Sequence, residues 1–128
     1  MYNQKKRRKI ITFLTKITGQ QGEDTASKYL SEQGYKIVAR NVRFSKECEI
    51  DIIAKDKNET VFVEVKTRKS LNSGHPFEAI NRKKIEKIYL GVLKYTEEKK
   101  IKNWRIDAVA VIGTVSPKIE HLKNIGLD

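Results

Sequence analysis

Apolar residues at helical spacing predict a first helix over residues 19–33. Ala26 lies three positions before Tyr29 and four before Leu30, as on one face of a helix. Gly34 follows at a position where a left-handed cap commonly ends a helix.

A second, longer helix is predicted from residue 77 to about residue 99. Its apolar side is marked by residues at helical spacing that run from Phe77 and Ile80 through Ile88 to Tyr95. The same spacing puts Lys84 on this inner side of the helix.

Four segments have the alternation or the β-branched composition of strands. They cover residues 35–44, 49–55, 60–66 and 104–112. A polar turn at residues 56–59 joins the second segment to the third, which indicates a β-hairpin.

The predicted order is therefore helix, three strands, helix, strand. This order favours an α/β fold, with a mixed sheet and helices packed against it. The pattern assigns no element to residues 119–128. A chain of 128 residues is enough for one domain with an ordinary core. We expect a single domain over residues 18–128, preceded by a basic arm or helix over residues 1–17.

Charge gives the first indication of a partner. The chain has 27 Lys and Arg against 16 Asp and Glu, a formal net charge of +11, which predicts binding to a polyanion such as nucleic acid. Residues 1–16 contain six basic residues and no acidic one. One reading of this arm is that it docks the domain on a protein or ribosomal partner.

Several classes of protein are excluded by the composition. No run of about 18 apolar residues exists, so we expect no transmembrane helix, no membrane partner and a cytoplasmic location. Cys48 is the one cysteine, and His75 and His121 are far apart, so neither an internal disulfide nor a zinc site is predicted. Any metal would be held by oxygen atoms.

Charged residues interrupt the predicted strands at positions that alternation marks as buried. In residues 49–53, alternation puts Glu49, Asp51 and Ile53 on one face and Ile50 and Ile52 on the other. Asp51 therefore lies among apolar neighbours.

The next strand carries a second buried acid. Phe62, Glu64 and Lys66 share a face, while the valines at positions 61, 63 and 65 form the opposite one. An unpaired buried carboxylate costs several kcal/mol, so we expect a compensating partner.

Two explanations for these acids remain open. In the first, Lys66 alone neutralises Asp51 or Glu64 in a salt bridge. Alternatively, Glu23 faces the core side of the first helix, three residues before Ala26. If that helix packs on the face that carries Asp51 and Glu64, three carboxylates meet one lysine, and their repulsion favours a divalent cation.

The spacing of Asp51 and Glu64-Val65-Lys66 is typical of metal-dependent hydrolysis. The two carboxylates and the Val65 carbonyl would bind Mg²⁺ or Mn²⁺, and Lys66 would orient a water. We predict Glu23, Asp51, Glu64 and Lys66 as catalytic residues.

The motifs also resemble those of the YraN-like family of small bacterial endonuclease-like proteins. The similarity extends over about residues 18–125 and rests on Gly22-Glu23, Gly34-Tyr35, Asn41-Val42-Arg43, Glu49-Ile50-Asp51, Val61 to Arg68, Gly74-x-Pro76 and Arg105-Ile106-Asp107.

This resemblance implies a restriction-endonuclease-like fold of the PD-(D/E)xK nuclease superfamily, similar to archaeal Holliday-junction resolvases. It implies an active site at Glu23, Asp51, Glu64 and Lys66, and it makes a homodimer one expectation. The sequence departs from the family pattern at Cys48, where glycine is usual.

Basic residues around the predicted site are candidates for binding phosphate. They are Arg43, Arg68, Arg82, Lys83, Lys84 and Lys87. Solvated helix charges are the alternative reading, and Lys84 is the residue expected to point toward the site.

Two further ionisable residues are predicted to be structural. Asp107 is expected to pair with Arg105 two residues earlier rather than to bind a metal. His75, between Gly74 and Pro76, is expected to be a loop residue rather than a general base.

The leading hypothesis is a Mg²⁺- or Mn²⁺-dependent nuclease that hydrolyses DNA, with branched DNA among its candidate substrates. The alternative is a nucleic-acid-binding module that keeps the nuclease fold without turnover.

Overall fold

A helix that begins at Gln4 opens the chain, and a mixed sheet follows it. The computed structural model describes residues 4–46 and 48–126, without the side chains of residues 11–18. The elements are α1 (Gln4–Glu32), β1 (Lys36–Ser45), β2 (Cys48–Asp56), β3 (Glu59–Arg68), a short 3₁₀ helix (Pro76–Ala79), α2 (Arg82–Lys99), β4 (Trp104–Ile112) and β5 (Lys118–Leu122).

The five strands lie in the sheet in chain order, from β1 at one edge to β5 at the other. The β3–β4 pair is parallel and the other pairs are antiparallel. A parallel pair needs a crossover connection, and α2 supplies it. This is the α/β architecture predicted from the sequence, a mixed sheet flanked by helices that is compatible with a restriction-endonuclease-like core.

The core lies on both faces of the sheet. On one face, Ala26 and Leu30 of α1 pack with Val61, Val63 and Val65, together with buried residues of β2 and β4. On the other face, Ile88 and Val92 of α2 pack with apolar residues of the sheet. The sheet residues are Ile50, Ile53, Phe62 and Ile106. The valine face of β3 is confirmed as wholly apolar.

The end of α1 follows from its cap. Gly34 has φ 94°, the left-handed conformation that glycine adopts without a Cβ penalty. Its N–H donates to the Ser31 carbonyl at 3.0 Å, and the Tyr35 N–H donates to the Leu30 carbonyl at 2.9 Å. The helix is continuous across residue 17, so the basic residues 5–9 belong to its first turns. The division into an arm and a domain at residue 17 stays a prediction.

The predicted start of the second helix, residue 77, was wrong. Pro76–Ala79 forms a separate 3₁₀ turn, and α2 begins at Arg82. Asn81 is the cap, because its side-chain oxygen accepts the Lys84 N–H at 2.9 Å. An Asn cap stops the helix from extending backward although the apolar spacing continues to Phe77.

Alternation also failed in β2. Ile50 packs with Ile53 on the α2 side of the sheet, whereas Ile52 packs on the α1 side. The side-chain alternation therefore breaks next to Asp51. In β1, Asn41 lies between the partners of Ile50 and Ile52 and has φ 53°, which distorts the pairing there.

Strand β1 pairs irregularly with β2 at two places. The register shifts between Ile37 and Ala39 and again between Arg43 and Ser45. β5 was not predicted. It pairs antiparallel with β4 along five residues, from Lys118 to Leu122. In the part of the chain that the structure describes, no helix combines the length and the apolar composition that crossing a membrane requires.

Candidate active site

The site lies where β2 and β3 separate. Their regular pairing runs from Asp56–Glu59 to Ile52–Val63 and stops there. Beyond that pair, the Asp51 carboxylate takes the place of a strand carbonyl, and its Oδ2 accepts the Val65 N–H at 2.7 Å. The hydrogen bond fixes the Asp51 side chain against β3 at Val65, the residue after Glu64.

Glu64 is the most deeply buried acid of the pocket, with 4% of its side chain exposed. Its Oε1 lies 3.5 Å from Lys66 Nζ and 3.6 Å from Lys84 Nζ. Its Oε2 is buried and has no hydrogen-bond partner among the described residues. One oxygen is thus shared by two cations, and the other is left open to a further positive ligand.

The salt-bridge expectation was therefore correct for Glu64 but does not account for both of its oxygens. Lys84 points into the site from the first turn of α2, as its position on the inner side of that helix predicted. The Asn81 side chain accepts the Lys84 N–H, so this cap fixes the backbone position from which the Lys84 side chain reaches the site.

Burial and, after it, the nearby charge of Glu64 together raise the pKa of Asp51 to about 8. Burial also raises the pKa of Glu64, against the lowering effect of Lys84 and Lys66. Two carboxyl groups held side by side in this way favour sharing a proton or a cation, because each disfavours the charge of the other.

Glu23 reaches the pocket although α1 packs on the opposite face of the sheet. α1 packs on the valine face of β3, not on the face that carries Glu64, so the condition set for the three-carboxylate explanation is not met by helix packing. Gly22 lets the helix pass close to the end of β3, because a Cβ there would overlap Thr67 Cγ2. Glu23 thereby lines the same pocket as Asp51, and its Oε2 lies 3.6 Å from Arg40 NH2.

An open pocket of about 360 Å³ brings these residues together. Its lining contains four acids and four bases, with Cys48 and Val65 between them: Glu23, Glu49, Asp51, Glu64, Arg43, Lys46, Lys66 and Lys84. All the residues predicted as catalytic or as metal ligands line it. Burial raises the pKa of the Cys48 thiol.

The predicted phosphate-binding residues divide into two groups. Arg43 and Lys84 line the pocket, although Arg43 is paired with Glu49 Oε2 at 3.2 Å. Lys87 lines a neighbouring pocket along α2.

The other three residues lie outside the pocket. Arg68 donates to the Thr67 carbonyl and lines a small pocket near the end of β4. Arg82 pairs with Glu86 one helical turn away, and Lys83 is exposed. Their role in binding phosphate stays a prediction.

Three residues in or beside the pocket were missed by the sequence reasoning. Lys46, in the turn before β2, and Glu49, paired with Arg43, line the pocket, and Arg40 lies beside it and pairs with Glu23. Glu49 carried a signal, since alternation placed it beside Asp51. Arg40 and Lys46 carried none, because a basic residue in a basic chain is unremarkable.

The two structural predictions were confirmed. Asp107 is paired with Arg105, whose Nε lies 3.0 Å from its Oδ1. His75 caps the 3₁₀ turn by accepting the Phe77 N–H on Nδ1, and its other nitrogen pairs with Glu120 of β5. Neither residue lines the pocket.

The mixed sheet, its two flanking helices and the carboxylate–lysine pocket define a protein with a restriction-endonuclease-like core. The chain belongs to uncharacterised protein family UPF0102, whose model matches residues 22–111, and the resemblance to the YraN-like family is thereby confirmed. The matched span contains every residue of the pocket.

Relatives from distant bacteria match most of the chain. A UPF0102 protein of Arthrobacter sp. (strain FB24) is 42% identical over 114 residues, 86% of this chain and 96% of the relative. One of Sulfurihydrogenibium sp. (strain YO3AOP1) is 46% identical over 104 residues, 80% and 87% of the two chains. One of Clostridium botulinum (strain 657 / Type Ba4) is 47% identical over 103 residues, 78% and 83%.

Proposed function

We propose that this protein is a metal-dependent nuclease that hydrolyses phosphodiester bonds of DNA in the pocket around Asp51 and Glu64. The observation that carries the proposal is the open Oε2 atom of Glu64, buried next to a carboxyl group whose pKa is raised to about 8. A purely structural ion pair would leave neither an unpartnered buried oxygen nor a second acid beside it.

The donor set fits a hard divalent cation. The described residues contain no group of three or more His, Cys, Asp or Glu side chains that could hold a metal ion by themselves. Asp51 and Glu64, with the Val65 carbonyl, would be the protein ligands. Mg²⁺ commonly keeps several waters and takes one or two carboxylates, which is the number available here.

When bound, Mg²⁺ or Mn²⁺ would polarise the phosphate and acidify a coordinated water. The protein supplies the remaining functions. Lys66, tethered to Glu64 Oε1 at 3.5 Å, orients the attacking water. Lys84, on the same oxygen at 3.6 Å, offsets negative charge on the phosphate. Glu23, held by Arg40, accepts hydrogen bonds from water at the pocket wall.

Cleavage assays test the proposal. Duplex, flap and four-way-junction DNA are incubated with the wild-type protein in Mg²⁺, Mn²⁺ or EDTA. We expect cleavage that requires the metal and falls by about 10²-fold or more in Asp51→Asn, because an amide cannot replace a carboxylate ligand. Glu32→Gln, an exposed acid-to-amide change at the end of α1, is the matched control and should retain full activity.

Two results contradict the proposal. Cleavage that survives in Asp51→Asn would assign the activity to a contaminant or to another site. Tight DNA binding without metal-dependent cleavage of any substrate would favour the nucleic-acid-binding module that keeps the fold without turnover.

A further inference from the structure

A groove leads away from the candidate active site along α2. Its first part is a pocket of about 280 Å³ that includes Phe44, Cys48 and Leu90. Cys48 also lines the candidate active site, so the two pockets adjoin. We call the groove formed by this pocket and the next one along the helix the α2 groove.

The second part of the α2 groove is a pocket of about 440 Å³. It begins at Tyr95, one residue after Lys94 of the first pocket, and continues past Val38 to Lys99. The ring of Phe44, in the first pocket, contacts the ring of Tyr95, in the second, with their centroids 5.8 Å apart. The two pockets are therefore neighbours, and together they follow α2 from Lys87 to Lys99.

The floor of the α2 groove is unusually apolar for a surface. Leu90 is 68% exposed and Val38 is 51% exposed, each on a different pocket of the groove. The aromatic side chains Phe44 and Tyr95 are half-buried between them. Water-exposed apolar and aromatic groups in one line suit a ligand that has flat apolar faces.

The rim of the α2 groove is basic. Lys87, Lys94 and Lys99 stand along α2, and no acid lines either pocket within the described part of the chain. Fifteen residues separate Lys84, at the active site, from Lys99, a span of about 22 Å on a helix. A strand stacked at the 3.4 Å spacing of duplex DNA would place roughly six nucleotides over this span.

We propose that the α2 groove binds a single-stranded segment of nucleic acid and leads it into the active site. Lysines alone would suit any phosphate backbone, but a duplex hides the faces of its bases. An unpaired strand exposes them, and it can place bases on the apolar floor while the lysines hold its phosphates. The proposal rests on the proposed function and assigns its substrate class, which is DNA with an unpaired strand such as a flap or overhang.

Binding measurements test this without requiring cleavage. The anisotropy of a labelled oligothymidine and of a labelled duplex of the same length is measured in EDTA, with wild-type protein and two variants. Leu90→Glu puts an anion on the exposed floor, and it should weaken oligothymidine binding about tenfold and duplex binding less than about twofold. Lys94→Gln/Lys99→Gln should lower the salt slope for oligothymidine by about 1.4, since each phosphate contact on a single strand contributes about 0.7.

The matched control is Lys28→Gln/Lys123→Gln, which removes two exposed lysines that line neither pocket of the groove. It should leave the preference for oligothymidine over duplex unchanged. Because the Lys94→Gln/Lys99→Gln variant changes only exposed side chains, it also serves if Leu90→Glu proves poorly folded by circular dichroism.

Three results would overturn the proposal. One is an equal loss for both ligands, which would make the groove a general charged surface, and another is no loss for either. The third is unchanged oligothymidine binding with an altered sedimentation coefficient in Leu90→Glu, which would assign the groove to a second copy of the chain. Failure of the proposed function looks different, since wild-type protein would then bind oligothymidine in the groove but cleave nothing in Mg²⁺.

Discussion

The Asp51 carboxyl group links the stability of the folded protein to pH. Burial and the neighbouring Glu64 raise its pKa from 3.8 to about 8, so between these values the folded protein holds a proton that the unfolded chain releases. The folded state binds more protons in this window, and stability therefore falls as the pH rises through it.

We predict that the metal-free protein, in EDTA, loses several degrees of melting temperature between pH 5 and pH 8. Asp51→Asn should remove most of this loss, because an amide does not ionise. Mg²⁺ should raise the melting temperature of the wild-type protein more at pH 8 than at pH 5, since the cation binds the ionised form. Thermal denaturation followed by circular dichroism measures all three; a wild-type curve that is flat with pH would contradict the burial of this acid.

The identities of the central site residues could be predicted because buried strands tolerate few charges. Asp51, Glu64 and Lys66 each break an apolar pattern, and such a break is visible in a single sequence. Arg40 and Lys46 break no pattern, since both stand in polar surroundings of a basic chain. The position of Lys46 in the pocket, and of Arg40 beside it, depends on how β1 and the turn after it fold over the site, which only the tertiary structure provides.

At the scale of elements, Asp107 joins β4 to its neighbours. It is fully buried and accepts hydrogen bonds from Arg105 Nε at 3.0 Å, His121 Nε2 at 2.8 Å and the Asn124 N–H at 2.9 Å. A further hydrogen bond joins His121 Nδ1 to the Tyr29 hydroxyl on α1 at 3.1 Å. The network thus ties α1, β4 and β5 together.

Asp107→Asn should destabilise the protein by about 3 kcal/mol, because Arg105 loses its buried counter-charge. Burial alone would raise the pKa of Asp107, but the hydrogen bonds from His121 and Arg105 outweigh it and hold the pKa below 3.8. The ionised acid therefore adds stability above about pH 4, and this stability is lost as the pH falls below that value. Urea denaturation from pH 2 to pH 7 should show this acid-side loss in the wild type and a smaller one in the variant.

The approach of α1 to β3 depends on Gly22. An added Cβ would overlap Thr67 Cγ2, so Gly22→Ala should destabilise the protein by about 1–3 kcal/mol. Thr67→Ser removes that methyl group, and the double variant should regain much of the loss. A double-mutant cycle from urea denaturation measures the coupling. Additive effects would show that the helix moves away instead, and Glu23 would then move with it.

Elements with a strong local pattern were predictable, and those defined by their partners were not. The apolar and β-branched run of β3 needs no neighbour to be recognised. β5 is short and its pattern is weak, with Leu122 49% exposed, so only its pairing with β4 makes it a strand. The start of α2 was misplaced because the apolar spacing before Asn81 comes from a 3₁₀ turn that packs at the end of the sheet.

At the scale of the whole molecule, the excess positive charge is divided between residues 1–16 and the rest of the chain. Residues 1–16 hold six basic residues and no acidic one. Deleting them should lower the salt slope of DNA binding by up to about 5, because each phosphate neutralised contributes about 0.9. Metal-dependent cleavage should persist, since the pocket residues all follow residue 22.

Binding across a salt series, with the full chain and the truncated one, measures this difference. An unchanged slope would indicate that the basic segment binds a protein or ribosomal partner rather than DNA. Loss of cleavage together with loss of the fold would instead show that these residues are needed to hold α1 in place.

The irregular pairing of β1 has a consequence for how copies of this protein can meet. A regular edge strand exposes a row of unpaired backbone groups onto which a strand of another chain can add. β1 is interrupted by two register shifts and carries Lys36, Arg40 and Arg43, while the opposite edge, β5, is only five residues long. Both edges are therefore poor templates for sheet extension. Even at high local concentration, copies of the protein should therefore have little tendency to join into continuous β-structure.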